Sequence, residues 1–140
     1  MSKVAVVFWS GTGNTEAMAD FVVKGAAGAG ASVTKYSVSS FDASMAANYD
    51  AIAFGCPAMG SEQLEDSEFE PVFNDCVPAL SGKKIALFGS YGWGGGEWMN
   101  AWEDTCRDAG AVLACDSVVC ENAPDDTAEA ECKALGAALA

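Results

Sequence analysis

The chain alternates between short continuous runs of apolar residues and longer segments in which apolar residues recur every three or four positions. Continuous runs are typical of strands buried on both faces, and the longer period is typical of helices with one buried side. The pattern predicts strands at 4–9, 33–38, 49–54, 84–88 and 111–119, and helices at 14–28, 67–77, 97–108 and 125–139. Strands and helices that alternate in this way predict an α/β fold with a parallel sheet and right-handed crossovers. The segment at 38–48 follows neither pattern.

Length and composition agree with one domain that spans residues 1–140, since the chain is 140 residues long and 51% hydrophobic. The apolar run at 4–9 is too short for a secretory signal and leads directly into a glycine turn. No segment approaches the roughly 20 apolar residues that a membrane-spanning helix needs. These features predict a soluble, cytoplasmic protein.

Charge is distributed unevenly along the chain, whose formal net charge is -13. Residues 62–140 contain sixteen acidic and four basic residues, whereas residues 1–61 contain four acidic and three basic ones. An acidic surface of this kind disfavours nucleic acid and anionic membranes and favours a basic protein partner. The alternative is that the acidity serves only to keep the protein in solution.

The six cysteines form no C-x-x-C pair, and the chain has no histidine, so the sequence predicts no metal site. In a reducing cytoplasm they are expected to be free thiols that act as small core residues. Cys56 follows the third predicted strand, where a further role stays open. Trp98 and Trp102 share one side of a predicted helix with Cys106 and are expected in the core.

Three loops rich in glycine and polar residues follow the first, third and fourth predicted strands, at 10–15, 55–62 and 89–97. Ligands of open parallel sheets bind beyond the carboxyl ends of the strands, near the point where the strand order reverses. If strands 1, 3 and 4 are neighbours, these three loops converge. The sequence therefore predicts one binding site built from all three.

The first of these loops, SGTGNT at 10–15, has the form of an anion site without a cation. A strand, a glycine turn and a helix present backbone N–H groups and the positive end of the helix dipole to an anion. Other phosphate motifs fail, because the nearest downstream lysine is Lys24 and because Glu16 stands where a dinucleotide fingerprint needs its third glycine. What remains is a neutral pocket for a terminal phosphate that is held rather than transferred.

Four motifs, WSGTGNTE, GCPAMGSE, DSEFEP and LFGSYGWGGGEW, resemble those of the short-chain flavodoxins in both order and spacing. Flavodoxins are small bacterial electron-transfer proteins that carry FMN, and the resemblance covers essentially the whole chain. It implies a flavodoxin-like three-layer sandwich with a five-stranded parallel sheet in the order 2-1-3-4-5 and helices on both faces. It also implies that the fifth strand, at 111–119, is uninterrupted.

The resemblance further implies that the loop at 10–15 wraps the FMN phosphate and that the isoalloxazine ring lies between Met59 and Trp93. Glu62 is then the carboxylate that binds the N3–H edge of the flavin, and Pro57 stands where some relatives have a phosphate-binding serine. The residues that this places at FMN are Ser10, Gly11, Thr12, Gly13, Asn14, Thr15, Pro57, Ala58, Met59, Gly60, Ser61, Glu62, Ser90, Tyr91, Gly92, Trp93, Gly94 and Asn122.

In the family, the peptide between the residues matching Gly60 and Ser61 turns over on one-electron reduction, so that its carbonyl accepts a hydrogen bond from the flavin N5–H. Glycine tolerates both orientations, whereas a β-carbon would clash in one of them. A hydrogen bond of about 1.4 kcal/mol made only by the semiquinone would shift a one-electron potential by about 59 mV. The loop would thereby help to set the redox level.

The resemblance thus implies a monomeric, low-potential electron carrier, not an enzyme, whose FMN shuttles between semiquinone and hydroquinone. Basic redox partners would dock on the acidic surface around the flavin edge. One alternative is a small FMN-dependent quinone or nitro reductase, although the sequence shows no second cofactor site and no general-acid histidine. The other alternative is a non-redox FMN-binding module.

Overall fold

Parallel strands form the centre of the fold in a computed structural model that describes residues 2–11, 13–58, 64–65, 67–92 and 97–140. The strand segments in these ranges are β1 (Lys3–Phe8), β2 (Ser32–Ser37), β3 (Ala51–Gly55), β4 (Lys84–Tyr91), β5 (Val112–Leu113) and β6 (Val118–Glu121). Parallel ladders join them in the order β2-β1-β3-β4-β5, and β6 also pairs with β4. The predicted strand order is confirmed.

The helices that connect the strands are α1 (Asn14–Gly28), α2 (Ala43–Ala46), α3 (Phe69–Cys76), α4 (Glu97–Asp108) and α5 (Asp126–Leu139). Four of them match the predicted helices to within two residues at each end. The unassigned connection contains a 3-10 turn, Val38–Ser40, followed by the single turn of α2. Asp42 caps α2 by accepting a hydrogen bond from the Ser44 N–H at 2.9 Å.

The sheet buries both of its faces, because successive side chains of a strand point to opposite sides. One cluster of buried residues joins Val4, Val6 and Phe8 of β1 to side chains of α1 and α5. The other joins Ala5 and Val7 to α3 and α4. The result is the predicted three-layer arrangement. Trp98 and Trp102 are each only 2% exposed and belong to the second cluster, which confirms their assignment to the core.

The prediction of one uninterrupted fifth strand at 111–119 is wrong, because the strand is divided into β5 and β6. Ile85 pairs with Leu113 and Phe88 with Val118, so the edge strand uses two more residues than β4 over this stretch. Within the extra length, Asp116 is exposed and the Ser117 hydroxyl donates to Glu103 of α4 at 2.6 Å. Asp116 and Ser117 interrupt the ladder, because one side chain is charged and the other bonds to a residue outside the sheet. The apolar residues on either side of this pair make the segment look like one continuous strand in the sequence.

Helices α1 and α5 cross at two glycines on the same side of the sheet. A β-carbon on Gly136 would lie 2.1 Å from the carbonyl oxygen of Val22, and one on Gly25 would lie 2.0 Å from that of Lys133. Both distances are far below van der Waals contact. The two backbones therefore touch directly, and only glycine fits at these positions.

All six cysteines are described, and none forms a disulfide. Cys56, Cys76, Cys106 and Cys132 are fully buried, as expected of small core residues. Burial raises the pKa of Cys76 to about 11 and that of the other three to about 12, so their thiols stay protonated at neutral pH. Within the described ranges, no group of three or more side chains is arranged to hold a metal ion, and no helix is long and apolar enough to cross a membrane.

Candidate functional site

A cleft of about 250 Å³ opens at the carboxyl ends of β1, β3 and β4. These three strands are neighbours, so the loops that follow them meet as predicted. Residues from all three loops and from the turn after β6 contribute to the described part of its wall, which consists of Trp9, Gly11, Asn14, Pro57, Ala58, Ser90, Tyr91, Gly92 and Asn122.

The turn after β1 leaves the N-terminus of α1 open towards this end of the sheet. The Gly13 N–H donates to the Ser10 hydroxyl oxygen at 3.0 Å, which closes the turn. Gly13 has φ of 95°, a left-handed conformation that glycine adopts without strain, and it is followed directly by the first residue of α1. No side chain in the described residues caps this helix. Its first-turn N–H groups can therefore bind an anion.

A buried hydrogen bond connects this turn to the end of β4. The Thr15 and Ser90 hydroxyl oxygens lie 3.2 Å apart, and the two residues are 1% and 5% exposed. Buried hydroxyls without a partner are costly, so this pair stabilises the position of each. The pair fixes the start of α1 relative to the β4 strand end.

The remaining walls are held by backbone hydrogen bonds to β4. The Ala58 N–H donates to the Ser90 carbonyl at 3.0 Å, and the Asn122 N–H donates to the Tyr91 carbonyl at 2.7 Å. Asn122 has φ of 61°, which asparagine tolerates better than most residues. The loop after β3 and the turn after β6 are therefore both anchored to the last two residues of β4.

The described wall of the cleft is uncharged, since none of its nine residues is acidic or basic. Its polar groups are backbone N–H groups, hydroxyls and the amides of Asn14 and Asn122. Such donors can bind a phosphate dianion through several charge-assisted hydrogen bonds without a formal positive charge. The geometry agrees with the neutral anion pocket that the sequence predicts.

The structure brings eight of the predicted site residues together at the cleft: Gly11, Asn14, Pro57, Ala58, Ser90, Tyr91, Gly92 and Asn122. Ser10, Gly13 and Thr15 shape the adjoining turn without lining the described cleft. The other predicted residues lie outside the described residues, and these are Thr12, Met59, Gly60, Ser61, Glu62, Trp93 and Gly94. The two side chains predicted to face the flavin ring are therefore still predictions from the sequence.

Two residues near the site were missed. Trp9 lines the cleft, although the pattern of apolar residues assigned it to the end of a buried strand. Its position directly before a glycine turn was the available signal. The other is Glu65, which is only 5% exposed, although carboxylates are rarely buried. The acidic composition of this segment gave no reason to expect that one of its carboxylates is buried.

The carboxylate of Glu65 caps the N-terminus of α3. One oxygen accepts from the N–H groups of Glu68 and Phe69 at 2.7 and 2.8 Å. The other accepts from the N–H of Ser67 at 3.0 Å and from its hydroxyl. Burial by itself raises the pKa of Glu65, but these four hydrogen bonds outweigh it and lower the pKa to about 2. The group is therefore ionised at every pH near neutrality.

Comparison with known proteins links this architecture to one family. A family model described as flavodoxin matches residues 6–135. The chain is 50% identical over 137 residues to a flavodoxin from Megasphaera elsdenii, with 98% of both chains covered. It is 44% identical over 135 residues to a flavodoxin from Clostridium beijerinckii, with 96% of this chain and 97% of the relative covered. The solution structure of two-electron reduced Megasphaera elsdenii flavodoxin is similar with a TM-score of 0.90 and 48% identity, and 97% of each chain is covered.

Proposed function

Since the chain belongs to the flavodoxin family, it is an electron carrier that binds FMN, and we propose that it transfers one electron at a time at low potential. Bound FMN supplies the redox chemistry through its isoalloxazine ring. The chain's own residues bind the cofactor, exclude water from part of it and set its potential. The observation that carries this proposal is the uncharged cleft where the three strand-end loops meet.

The first-turn N–H groups of α1 and the side chains of Ser10, Thr12, Asn14 and Thr15 would hold the FMN phosphate. The uncapped start of α1 and the Gly13 turn support this assignment. Each hydrogen bond to the phosphate contributes about 1.5 to 3 kcal/mol, so several of them replace the missing cation.

The isoalloxazine ring would lie further along the cleft. The indole of Trp9 and the phenol of Tyr91 line the described wall and provide an aromatic surface there. Met59 and Trp93 would cover the two faces of the ring, and Glu62 would bind its N3–H edge. Aromatic rings gain about 0.5 to 1.5 kcal/mol from offset stacking beyond their burial, which favours Trp93 as an outer cover. The Gly60–Ser61 peptide would bind the flavin N5–H after one-electron reduction.

The charge of the protein supports a low potential for the second electron. Fully reduced flavin is an anion at neutral pH, and the described cleft wall offers it no positive side chain. The net charge of -13 adds a repulsive potential. Both effects disfavour the fully reduced state relative to a neutral one-electron-reduced state.

Flavodoxins pass electrons to redox partners, and the partners proposed for this chain are basic proteins. Exposed carboxylates flank the loops at the cleft at Glu68, directly before α3, and at Glu121, directly before Asn122. A basic partner would be steered to this side by charge complementarity. We further propose that the chain is a single domain, a monomer and cytoplasmic.

An anaerobic titration of the purified protein with a one-electron reductant tests the function directly. The expected result is a yellow protein that passes through a long-wavelength, blue spectrum to a pale one, with about one electron taken up at each stage. Bleaching in a single two-electron step would contradict one-electron transfer and favour a reductase. A colourless protein that added FMN cannot turn yellow would overturn the proposal.

The outer cover of the ring is tested with Trp93→Ala. The variant is expected to bind FMN more weakly and to show shifted potentials while the apoprotein keeps its stability. Tyr36→Ala is unsuitable as a matched aromatic control, because Tyr36 packs against Phe41 and Tyr49 in the core. Phe21→Ala serves better, since Phe21 is only half-buried on α1 and does not line the described cleft. Unchanged FMN affinity in Trp93→Ala would refute the assignment.

A further inference from the structure

We propose that Cys56 and Glu65 form a brace that closes the base of the loop at 57–64 and positions this loop for the cofactor. The inference rests on the proposed function, because this loop contains Met59, Gly60 and Glu62. Neither brace residue lines the described cleft. Both therefore act through the loop and are positioning residues, not cofactor ligands.

The two residues are joined directly. The Glu65 N–H donates to the sulfur of Cys56 at 3.4 Å, across the eight residues that lie between them in the sequence. The same sulfur lies 3.5 Å from the carbonyl oxygen of Pro57, to which the thiol donates. Burial raises the pKa of Cys56 to about 12, so the S–H is retained and can make this second contact. One buried thiol thus contacts both ends of the loop.

The Cys56 end of the brace is fixed to the sheet and to α4. Its N–H donates to the Phe88 carbonyl at 3.1 Å, and its carbonyl accepts from the indole N–H of Trp98 at 3.3 Å. Cys56 is fully buried and Trp98 is 2% exposed. This end of the loop has no freedom to shift without breaking core contacts.

The Glu65 end is fixed to α3 through its carboxylate. Four hydrogen bonds from Ser67, Glu68 and Phe69 hold the side chain against the first turn of the helix. Phe69, in that turn, packs against Phe54 of β3 and Trp102 of α4. The loop at 57–64 is therefore attached at one end to the sheet and at the other to a helix that is itself packed on the sheet.

Fixed ends matter under the proposed function, in which the Gly60–Ser61 peptide would turn over on one-electron reduction and the loop would need a different backbone arrangement in each redox state. A short loop with fixed ends has few conformations, so their relative free energies depend on the exact spacing of those ends. If the spacing relaxes, a conformer that only one redox state stabilises loses its advantage over the others. The brace therefore affects the balance between the two one-electron steps and not only the affinity for FMN.

The experiment uses the full chain reconstituted with FMN and compares Glu65→Gln and Cys56→Ala with the unaltered protein. Glutamine turns an N–H donor towards backbone N–H groups, and alanine removes the acceptor of the Glu65 N–H. We expect the separation of the two one-electron potentials to change by at least about 59 mV in each variant, which is a tenfold change in one equilibrium constant. Cys56→Ser keeps an acceptor and should restore most of the original separation.

A capping variant remote from the loop controls for general loss of stability. Asp42→Ala removes the cap of α2. Asp42 lies near Cys76, at the end of α3 that is far from Glu65. This variant should be less stable and yet keep the original separation of potentials. If Glu65→Gln and Cys56→Ala also lose stability but keep the separation within about 15 mV, roughly twofold, the brace proposal is refuted. A parent protein that binds no FMN would overturn the proposed function, and the brace proposal with it.

Discussion

Replacing Glu65 by glutamine removes a buried negative charge whose four hydrogen bonds come from Phe69, the first residue of α3, and from the two residues before it. The amide that takes its place has one acceptor oxygen and one donor nitrogen. The nitrogen faces N–H groups that had been bonded to the carboxylate. The variant should therefore be less stable than the parent, and the size of the loss should depend on pH.

The pKa shift of Glu65 gives the magnitude. The pKa falls from 4.5 to about 2 on folding, and at 1.36 kcal/mol for each pKa unit this is about 3 kcal/mol of stability at pH 7. Since the pKa is lower in the folded state, the contribution is complete above about pH 4.5. It decreases as the pH falls towards 2, and linkage gives about 1.5 kcal/mol at pH 3. Solvent near the carboxylate screens part of its charge, so these values are upper bounds.

The assay is urea unfolding of the apoprotein, followed by far-ultraviolet circular dichroism at several pH values from 7 to 3. The quantity of interest is the difference in unfolding free energy between the parent and Glu65→Gln. The contributions of the other carboxylates to the pH dependence are the same in both proteins and cancel in this difference. Glu68→Gln is the matched control, since the Glu68 side chain is exposed and makes no hydrogen bond within the described ranges. A difference below about 0.5 kcal/mol at pH 7, or one that stays constant down to pH 3, would refute the reasoning.

Three further predictions follow from packing, thiol burial and surface charge. Gly136→Ala should lower the free energy of unfolding in urea by about 1 to 3 kcal/mol, because its β-carbon would lie 2.1 Å from the Val22 carbonyl oxygen. Gly28→Ala is the control and should lose no stability, since nothing lies within 4 Å of its β-carbon. Equal stabilities of the two variants would contradict the helix crossing. A thiol reagent at pH 8 should label the native protein only at the two half-buried cysteines, Cys115 and Cys120, and early labelling of Cys56 on mass spectrometry would show that its burial is wrong. Rates of electron transfer to a basic partner should fall as ionic strength rises, and a rate that is independent of salt would rule out steering by the acidic surface.

The sequence predicted most helix bounds because these elements carry a strong local pattern, whereas the strand order was implied by the resemblance to the flavodoxins. Four of the five residues at 84–88 are apolar, and the helix at 97–108 repeats Trp98, Trp102 and Cys106 on one side. Convergence of the loops then followed from the strand order alone. Glu65 could not be predicted in this way, because its burial depends on backbone N–H groups of α3 that lie close to it only in the folded chain.

The two extra residues in the edge strand leave the facing of its side chains unchanged, which the local sequence pattern could not indicate. Between Leu113 and Val118 the strand contains two residues more than β4 contains between Ile85 and Phe88. Because the side-chain period of a strand is two, an insertion of two residues preserves the facing of each side chain, whereas an insertion of one would reverse it. Val118 accordingly still packs on the α1 and α5 side with Phe88.

The same two residues set how far the strand extends along the sheet. With the register of β5 continued, the position opposite Tyr91 would be Val119, but the insertion moves Glu121 to this position instead. Asn122 then follows immediately, and its N–H reaches the Tyr91 carbonyl at 2.7 Å. Had the ladder continued in the register of β5, Asn122 would lie three residues beyond the end of β4 instead of one, and outside this contact. The interruption of the fifth strand is therefore the feature that brings Asn122 to the cleft.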